Sequence, residues 1–181
     1  MPEPAAGPVG PFPAGADPDE YDRLRRRVLW SMPSGLYIVG SRAGDRLNGM
    51  TCNWATQLAT DPKLLGVSVE RGAVTHELIE AGGAFSLNVL AREDRTLVRK
   101  FVKPADADLA ARTLNGFPYT EAVTGAPILA AAVAWLDCRV ERSLDAGSHT
   151  LFAGEVAAAG FNRPEDTPVL RMEDTRMSYG G

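Results

Sequence analysis

The stretch NGMTCNWATQ (residues 48–57) has the period of a β-strand, in which alternate side chains point to opposite faces of a sheet. One face is bulky and apolar, and we expect it to pack the protein interior; it comprises Met50, Cys52 and Trp54. The other face is small or polar and carries no charge; it comprises Gly49, Thr51, Asn53, Ala55 and Gln57. Either this second face meets solvent without charged groups, or it approaches a planar ligand that has many heteroatoms.

The segments around this stretch predict a mainly β chain with peripheral helices. LYIVGS (residues 36–41) and the turn-rich RAGDR precede it, which is the pattern of a hairpin. Further strands are predicted over residues 64–70, 85–90, 132–143 and 148–160. Because a doubly wound parallel sheet needs a helix after nearly every strand, we expect a closed antiparallel barrel instead.

The remaining segments predict a few helices and one flexible end. Residues 1–16 are rich in Pro, Gly and Ala, so we expect a disordered tail before a single domain over 17–181. Asp17 and Pro18 predict the start of a helix with an apolar stripe that includes Leu24 and Val28, and Pro33 ends it. Two more helices are predicted over 75–81 and 93–103, with a helical turn or two over 106–115.

Composition excludes several classes of function. The net charge of −4 argues against a nucleic-acid surface, and no apolar run approaches the ~20 residues of a membrane span. Two cysteines, Cys52 and Cys138, lie in apolar runs, which argues against a disulfide framework and favours a reducing cytoplasm. Cys and His are too few for a zinc site of the usual spacing, so we expect no metal. The N-terminus also lacks the features of a signal peptide.

The familiar catalytic and phosphate-binding motifs are missing from the sequence, but some residues suit ligand binding. A Cys52–His149 nucleophile pair is compatible with the spacing, although Cys52 lies on the bulky face of its strand. Arg71 follows a strand, Thr75 begins a helix and Lys100 lies beside Phe101; together they could hold a phosphate, and singly each suits an ordinary surface. His149 is either a hydrogen-bonded structural residue or a proton-handling group.

Five motifs in order resemble the flavin reductase-like, FMN-binding split-barrel family. They are NGMTCNW (48–54), THELI (75–79), FSLNVL (85–90), RKF (99–101) and GSHTLFAGEV (147–156), and the ending EDTRMSYGG (173–181) is similar to that of some members. The resemblance covers residues 28–161. It implies a homodimeric antiparallel split barrel that binds FMN, or alternatively FAD, near the subunit interface.

The resemblance also implies which residues form the site. Cofactor-binding positions are Asn48, Gly49, Met50, Thr51, Cys52, Asn53, Arg71, Thr75, Lys100 and Phe101. The histidine that matches His149 lies near the flavin, where it would help position the nicotinamide or protonate the reduced flavin. Many members have Ser and Asp where this chain has Asn53 and Ser148, and the missing acid weakens any inference about the charge of His149.

The function implied is an NAD(P)H-dependent flavin reductase. Such an enzyme transfers hydride from NADH or NADPH to flavin N5, and its reduced flavin would serve a monooxygenase or another acceptor. The cofactors carry this chemistry, which is consistent with the lack of a catalytic triad. Three alternatives stay open: a flavoredoxin-like FMN electron carrier reduced by a protein partner, a non-enzymatic flavin- or haem-binding module (in the simplest case a flavin-binding module), and a protein with no cofactor.

Overall fold

The structure, a computed structural model, describes residues 8–175 and Met177. Within these residues the α-helices are α1 (Pro18–Trp30) and α2 (Val74–Gly82). The strands are β1 Tyr37–Ala43, β2 Arg46–Cys52, β3 Ala55–Thr60, β4 Lys63–Glu70, β5 Ala84–Val89, β6 Ala107–Asp108, β7 Thr113–Leu114, β8 Phe117–Thr120, β9 Ile128–Leu129, β10 Ala134–Asp145 and β11 His149–Phe161. Short 3₁₀ helices cover Arg92–Asp94, Leu97–Phe101 and Met172–Asp174. No helix in this part of the chain has the length and apolar character needed to cross a membrane.

Seven strands form one antiparallel sheet in the order β2-β1-β5-β10-β11-β4-β3. The two edge strands, β2 and β3, are consecutive in the chain, and Asn53 and Trp54 alone separate them. Two residues span less than about 8 Å, so the sheet must curve until its edges meet. The Ser68 backbone N–H on β4 donates to the Trp54 carbonyl at 2.9 Å, which extends the pairing of β3 with β4 into this link. The mainly β, antiparallel prediction is confirmed, and residues 48–57, hereafter the seam, join the edges.

Each face of the curved sheet packs a separate apolar core. The inner core consists of Val39, Cys52, Leu65, Val67, Val69, Ile79, Phe85, Leu87, Cys138 and Phe152. The outer core consists of Leu36, Ile38, Leu47, Leu90, Leu97, Val98, Phe101, Leu114, Tyr119, Leu129 and Leu170. The alternation of Ile38 and Val39 between the two cores follows the period of β1. Helix α2 contributes Ile79 to the inner core, and the 3₁₀ segment Leu97–Phe101 covers the outer one.

Helix α1 begins as predicted, but its apolar stripe is not covered. Asp17 accepts a hydrogen bond from the Glu20 backbone N–H at 2.9 Å, which is an ordinary N-cap. Leu24 and Val28 are nevertheless 46% and 59% exposed. The expected tail over 1–16 is only partly within the described residues; there, the Arg25 guanidinium donates to the Val9 carbonyl at 2.6 Å, so this segment contacts α1.

Two helical predictions in the middle of the chain are wrong. Residues 93–103 form two short 3₁₀ helices rather than one α-helix. Residues 106–115 include β6 and β7 of a small sheet in the order β6-β7-β8-β9. Asn115 and Gly116 adopt φ of +51° and +78°, the left-handed conformations that a two-residue Asn-Gly hairpin turn requires. This turn reverses the chain between β7 and β8.

Candidate functional site

A cavity of about 540 Å³ lies against the seam, which is a volume typical of cofactor sites. Its walls come from β2 and the link to β3, from the end of β4 and the start of α2, from the loop after Phe101, and from the start of β11. The lining residues are Asn48, Gly49, Met50, Thr51, Cys52, Asn53, Trp54, Ser68, Glu70, Gly72, Ala73, Val74, Thr75, Phe101, Val102, Lys103, Pro104 and His149.

The cavity brings together most of the residues that the sequence nominated. All of the seam candidates line it, and so do Thr75, Phe101 and His149, although they are distant in sequence. Arg71 and Lys100 are absent from its lining. The Arg71 guanidinium instead pairs with Asp145 at 2.8 Å.

Lys103 is the cavity's cation that sequence reasoning missed. It lies three residues beyond the predicted Lys100, whose side chain is exposed to solvent. An α-helix over 93–103 would have placed these two lysines on neighbouring positions of one face, but the 3₁₀ segment ends at Phe101. Proline at position 104 was a signal that the chain changes direction here.

The small, polar face of β2 is covered by protein rather than left open. A Cβ on Gly49 would lie 2.8 Å from ring atoms of Phe101, so only glycine allows this close approach. The buried Thr51 hydroxyl donates to the Val98 carbonyl at 2.5 Å. Thr51 therefore offers the cavity its backbone rather than a free hydroxyl, which differs from the expectation of an open polar strip.

Asn48 joins three segments around the cavity. Its side-chain amide donates to the Thr75 hydroxyl at 2.8 Å, and its side-chain carbonyl accepts from the Ala105 backbone N–H at 2.7 Å. The residue is 4% exposed. Because both ends of the amide already have partners, Asn48 fixes β2 to the start of α2 and to the loop after Phe101.

Asn53, by contrast, keeps its side-chain amide free for a ligand. It lies in the two-residue link beyond the end of β2 and is half-buried. Its amide makes no hydrogen bond with the part of the chain that the structure describes, and it lines the cavity. An amide both donates and accepts, so Asn53 suits a heteroatom-rich ring edge.

The start of α2 gives the cavity a positive end. The N-cap residue, Ala73, supplies no side-chain cap, which leaves the first backbone N–H groups of the helix to other acceptors. Gly72, with φ of +84°, turns the chain into the helix. The start of α2 and Lys103 line the same cavity, and both a helix N-terminus and an ammonium favour an anion such as a phosphate.

His149 lines the cavity next to the seam and contacts two neighbours. Its Nδ1 atom hydrogen bonds with the Ser148 hydroxyl at 2.9 Å, and its ring lies against Trp54 with 4.8 Å between ring centroids. Burial lowers the pKa of His149, while the carboxylate of Glu70 acts in the opposite direction. Burial therefore favours the neutral imidazole.

The two cysteines are free and buried. Burial raises the pKa of Cys52 to about 11 and that of Cys138 to about 12. The Cys52 thiol donates to the Ser68 carbonyl at a sulfur–oxygen distance of 4.0 Å. A protonated thiol with this partner is a poor nucleophile, which disfavours the Cys52–His149 pair.

The fold and the site together define a class: an antiparallel β-barrel with a cofactor-sized cavity where its edge strands meet. Comparison with known proteins then gives the family. Residues 29–180 match the family described as flavin reductase like domain, and the chain belongs to it. This confirms the resemblance drawn from the five motifs.

Individual relatives agree with this assignment. The chain is 34% identical over 145 residues to the NADH-dependent FAD reductase of Streptomyces globisporus, a match that covers 78% of each. It is also 34% identical over 135 residues to the high molecular weight rubredoxin of Moorella thermoacetica, covering 74% of this chain but 58% of that longer protein. Among solved structures, BorF, the flavin reductase component of a bacterial two-component tryptophan halogenase, superposes with a TM-score of 0.67 at 29% identity, covering 77% of this chain and 86% of BorF.

Proposed function

We propose that this protein is an NAD(P)H-dependent flavin reductase that uses FMN, or alternatively FAD, and supplies reduced flavin to a monooxygenase or another acceptor. The cavity at the seam carries the proposal, because it gathers the seam motif, the start of α2 and His149 in one place. When bound, the flavin supplies the ring that accepts hydride, and the protein supplies binding and orientation.

The residues present fit a flavin. Gly72 and Ala73 have little or no side chain, so the backbone can approach a planar ring closely. Met50 and Phe101 provide apolar surface, and Asn53 provides a free amide for the heteroatoms at the ring edge. We assign the isoalloxazine to this wall. Phe101 and the loop after it would exclude water from the bound ring.

The anionic end of the cofactor fits the corner formed by α2 and Lys103. The Thr75 hydroxyl accepts from Asn48, so its own proton points away from that amide and can be donated to a phosphate oxygen. The uncapped N–H groups of α2 add donors. We therefore transfer to Lys103 the phosphate role predicted for Lys100, and Arg71, which pairs with Asp145, is assigned a lesser part.

His149 is the proposed catalytic residue. Ser148 occupies Nδ1, which leaves Nε2 as the ring nitrogen that can face a bound dinucleotide. A neutral imidazole can accept a proton or a hydrogen bond at that atom. Glu70, the cross-strand neighbour of His149, would stabilise the charged form once a proton arrives.

Rapid-mixing spectroscopy tests the proposal. The purified protein is loaded with FMN or FAD and mixed anaerobically with NADH or NADPH while flavin absorbance is followed. We expect at least one flavin to bleach with at least one dinucleotide. Flavin binding without bleaching by either dinucleotide would contradict the reductase and favour a non-enzymatic flavin-binding module.

The electron-carrier alternative has one observation in its favour, the similarity to the Moorella thermoacetica rubredoxin. A carrier must keep its flavin and take electrons from a protein partner, whereas a reductase that supplies an acceptor must release reduced flavin. Gel filtration of the oxidised and reduced forms separates the two. Retention of flavin in both forms, together with reduction only by a protein donor, would support the carrier.

We further propose that the protein is a cytoplasmic homodimer with a split barrel and that α1 belongs to the subunit interface. Five apolar side chains at and just beyond this helix are 46–67% exposed: Leu24, Val28, Leu29, Trp30 and Met32. A monomer rarely leaves such a patch uncovered. Light scattering coupled to gel filtration gives the mass, and a monomer at all concentrations would contradict this interface.

A further inference from the structure

We propose that Trp54 is a positioning residue whose indole packs against the His149 ring and holds the imidazole in one orientation at the cavity. The catalytic part of this inference rests on the proposed reductase function. Its structural content can be tested in the protein without a ligand. The alternation of residues 48–57 predicted that Trp54 packs inside the barrel. That prediction is wrong, and the contact with His149 could be seen only in the structure.

The position of Trp54 is fixed by its backbone rather than by burial. It lies in the link between β2 and β3, where its carbonyl accepts from the Ser68 N–H at 2.9 Å. The strand period ends at Cys52, so the indole leaves the interior and is 43% exposed. It lines the cavity from the seam, beside the start of β11.

The two rings form a close aromatic pair. Their centroids are 4.8 Å apart with an angle of 57° between planes, which lies within the range of favourable aromatic contacts. His149 is thus held on one side by the indole and at Nδ1 by the Ser148 hydroxyl. Two contacts of this kind restrict both torsions of the imidazole, and because Ser148 occupies Nδ1, Nε2 is the ring nitrogen left for a ligand.

The charges around His149 explain why the indole matters for protonation. Glu70 on β4 is the cross-strand neighbour and favours the imidazolium, while Arg71 is neutralised by its ion pair with Asp145. Burial, the larger effect, lowers the pKa of His149. Removing the indole admits water to the imidazole and leaves Glu70 in place, so the pKa should rise.

Nuclear magnetic resonance titration of the ligand-free protein measures this directly, because the chain has two histidines. We expect Trp54→Ala to raise the titration midpoint of His149 by about half a pH unit or more, and Trp54→Phe to stay close to wild type. Phe161→Ala is the matched control: an exposed aromatic residue at the other end of β11, it should leave the midpoint unchanged. An unchanged midpoint in Trp54→Ala would overturn the inference.

Single-turnover reduction by the preferred dinucleotide tests the catalytic meaning. We expect the limiting reduction rate of Trp54→Ala to fall about tenfold, with flavin affinity within about twofold and with rescue by Trp54→Phe. A raised midpoint with an unchanged rate would remove Trp54 from the reaction. If wild type shows no reduction at all, the proposed function fails, while the titration still decides whether Trp54 holds His149.

Discussion

Helix α1 and strand β2 differ in opposite directions: the apolar face of α1 is exposed, whereas the small, polar face of β2 is buried. The apolar stripe of α1 looks made for burial, yet Leu24 and Val28 are 46% and 59% exposed in the single chain. The small, polar face of β2 looks open, yet Gly49 and Thr51 pack beneath the 3₁₀ segment Leu97–Phe101. Periodicity shows that a segment has two different faces. Which of these faces is buried depends on the segments, distant in sequence, that pack on it.

The largest expected effect breaks the cover of β2. Gly49→Val places side-chain atoms where the ring of Phe101 lies, because a Cβ alone would be 2.8 Å from it. We expect a loss of about 3 kcal/mol in the free energy of unfolding, measured by urea denaturation. Adding Phe101→Leu should recover part of that loss. If the double variant loses as much unfolding free energy as the two single variants added together, the two residues do not contact each other.

Asn48→Leu tests the hydrogen bonds that join β2 to α2 and to the loop after Phe101. The change removes two hydrogen bonds and leaves the Ala105 N–H without its partner, so we expect a loss of about 2 kcal/mol in unfolding free energy. Asn53→Leu, the matched control, should leave stability nearly unchanged but weaken flavin binding about two- to tenfold, read by fluorescence titration. The interpretation fails if the two variants behave alike in both measurements.

Thr51→Val isolates one hydrogen bond of the covered face. Loss of the bond to the Val98 carbonyl should lower the unfolding free energy by about 1 kcal/mol. Thr56→Val, on the exposed strand β3, should stay within about 0.5 kcal/mol of wild type. Equal effects at the two threonines would mean that the face of β2 is no better covered than that of β3.

The smallest effect on stability is expected at α1. Val28→Ser should change the unfolding free energy of the isolated chain by less than about 0.5 kcal/mol, since the side chain is exposed. It should nevertheless weaken self-association, seen as a concentration-dependent mass by analytical ultracentrifugation. Arg27→Ser on the same helix is the control, and equal masses for both variants would remove Val28 from an interface.

Much of the fold was predictable because its signals are local. The strands around residues 64–70 and 85–90 and the helix around 75–81 agree with β4, β5 and α2 within one or two residues. The Asn115-Gly116 turn also had a local signal, which the helical interpretation of 106–115 overlooked. The split of 93–103 into 3₁₀ pieces had none, since it depends on packing against β2.

The site residues that lie within the motifs could be predicted from the sequence. Those whose position depends on where a strand or helix ends could not. The seam candidates, Thr75, Phe101 and His149 do line one cavity. The choice of Lys103 over Lys100 depends on where a short helix ends, and the exposed indole of Trp54 depends on where β2 stops. Neither boundary is encoded by a period of two residues.

Asn48 also makes the assembly of the site observable without any ligand. Its hold on the Ala105 N–H protects one backbone amide in a loop that otherwise faces water. Exchange of that single hydrogen for deuterium can proceed only when the loop after Phe101 separates from Asn48 on β2. The exchange rate of Ala105 thus reports how often this wall of the cavity opens.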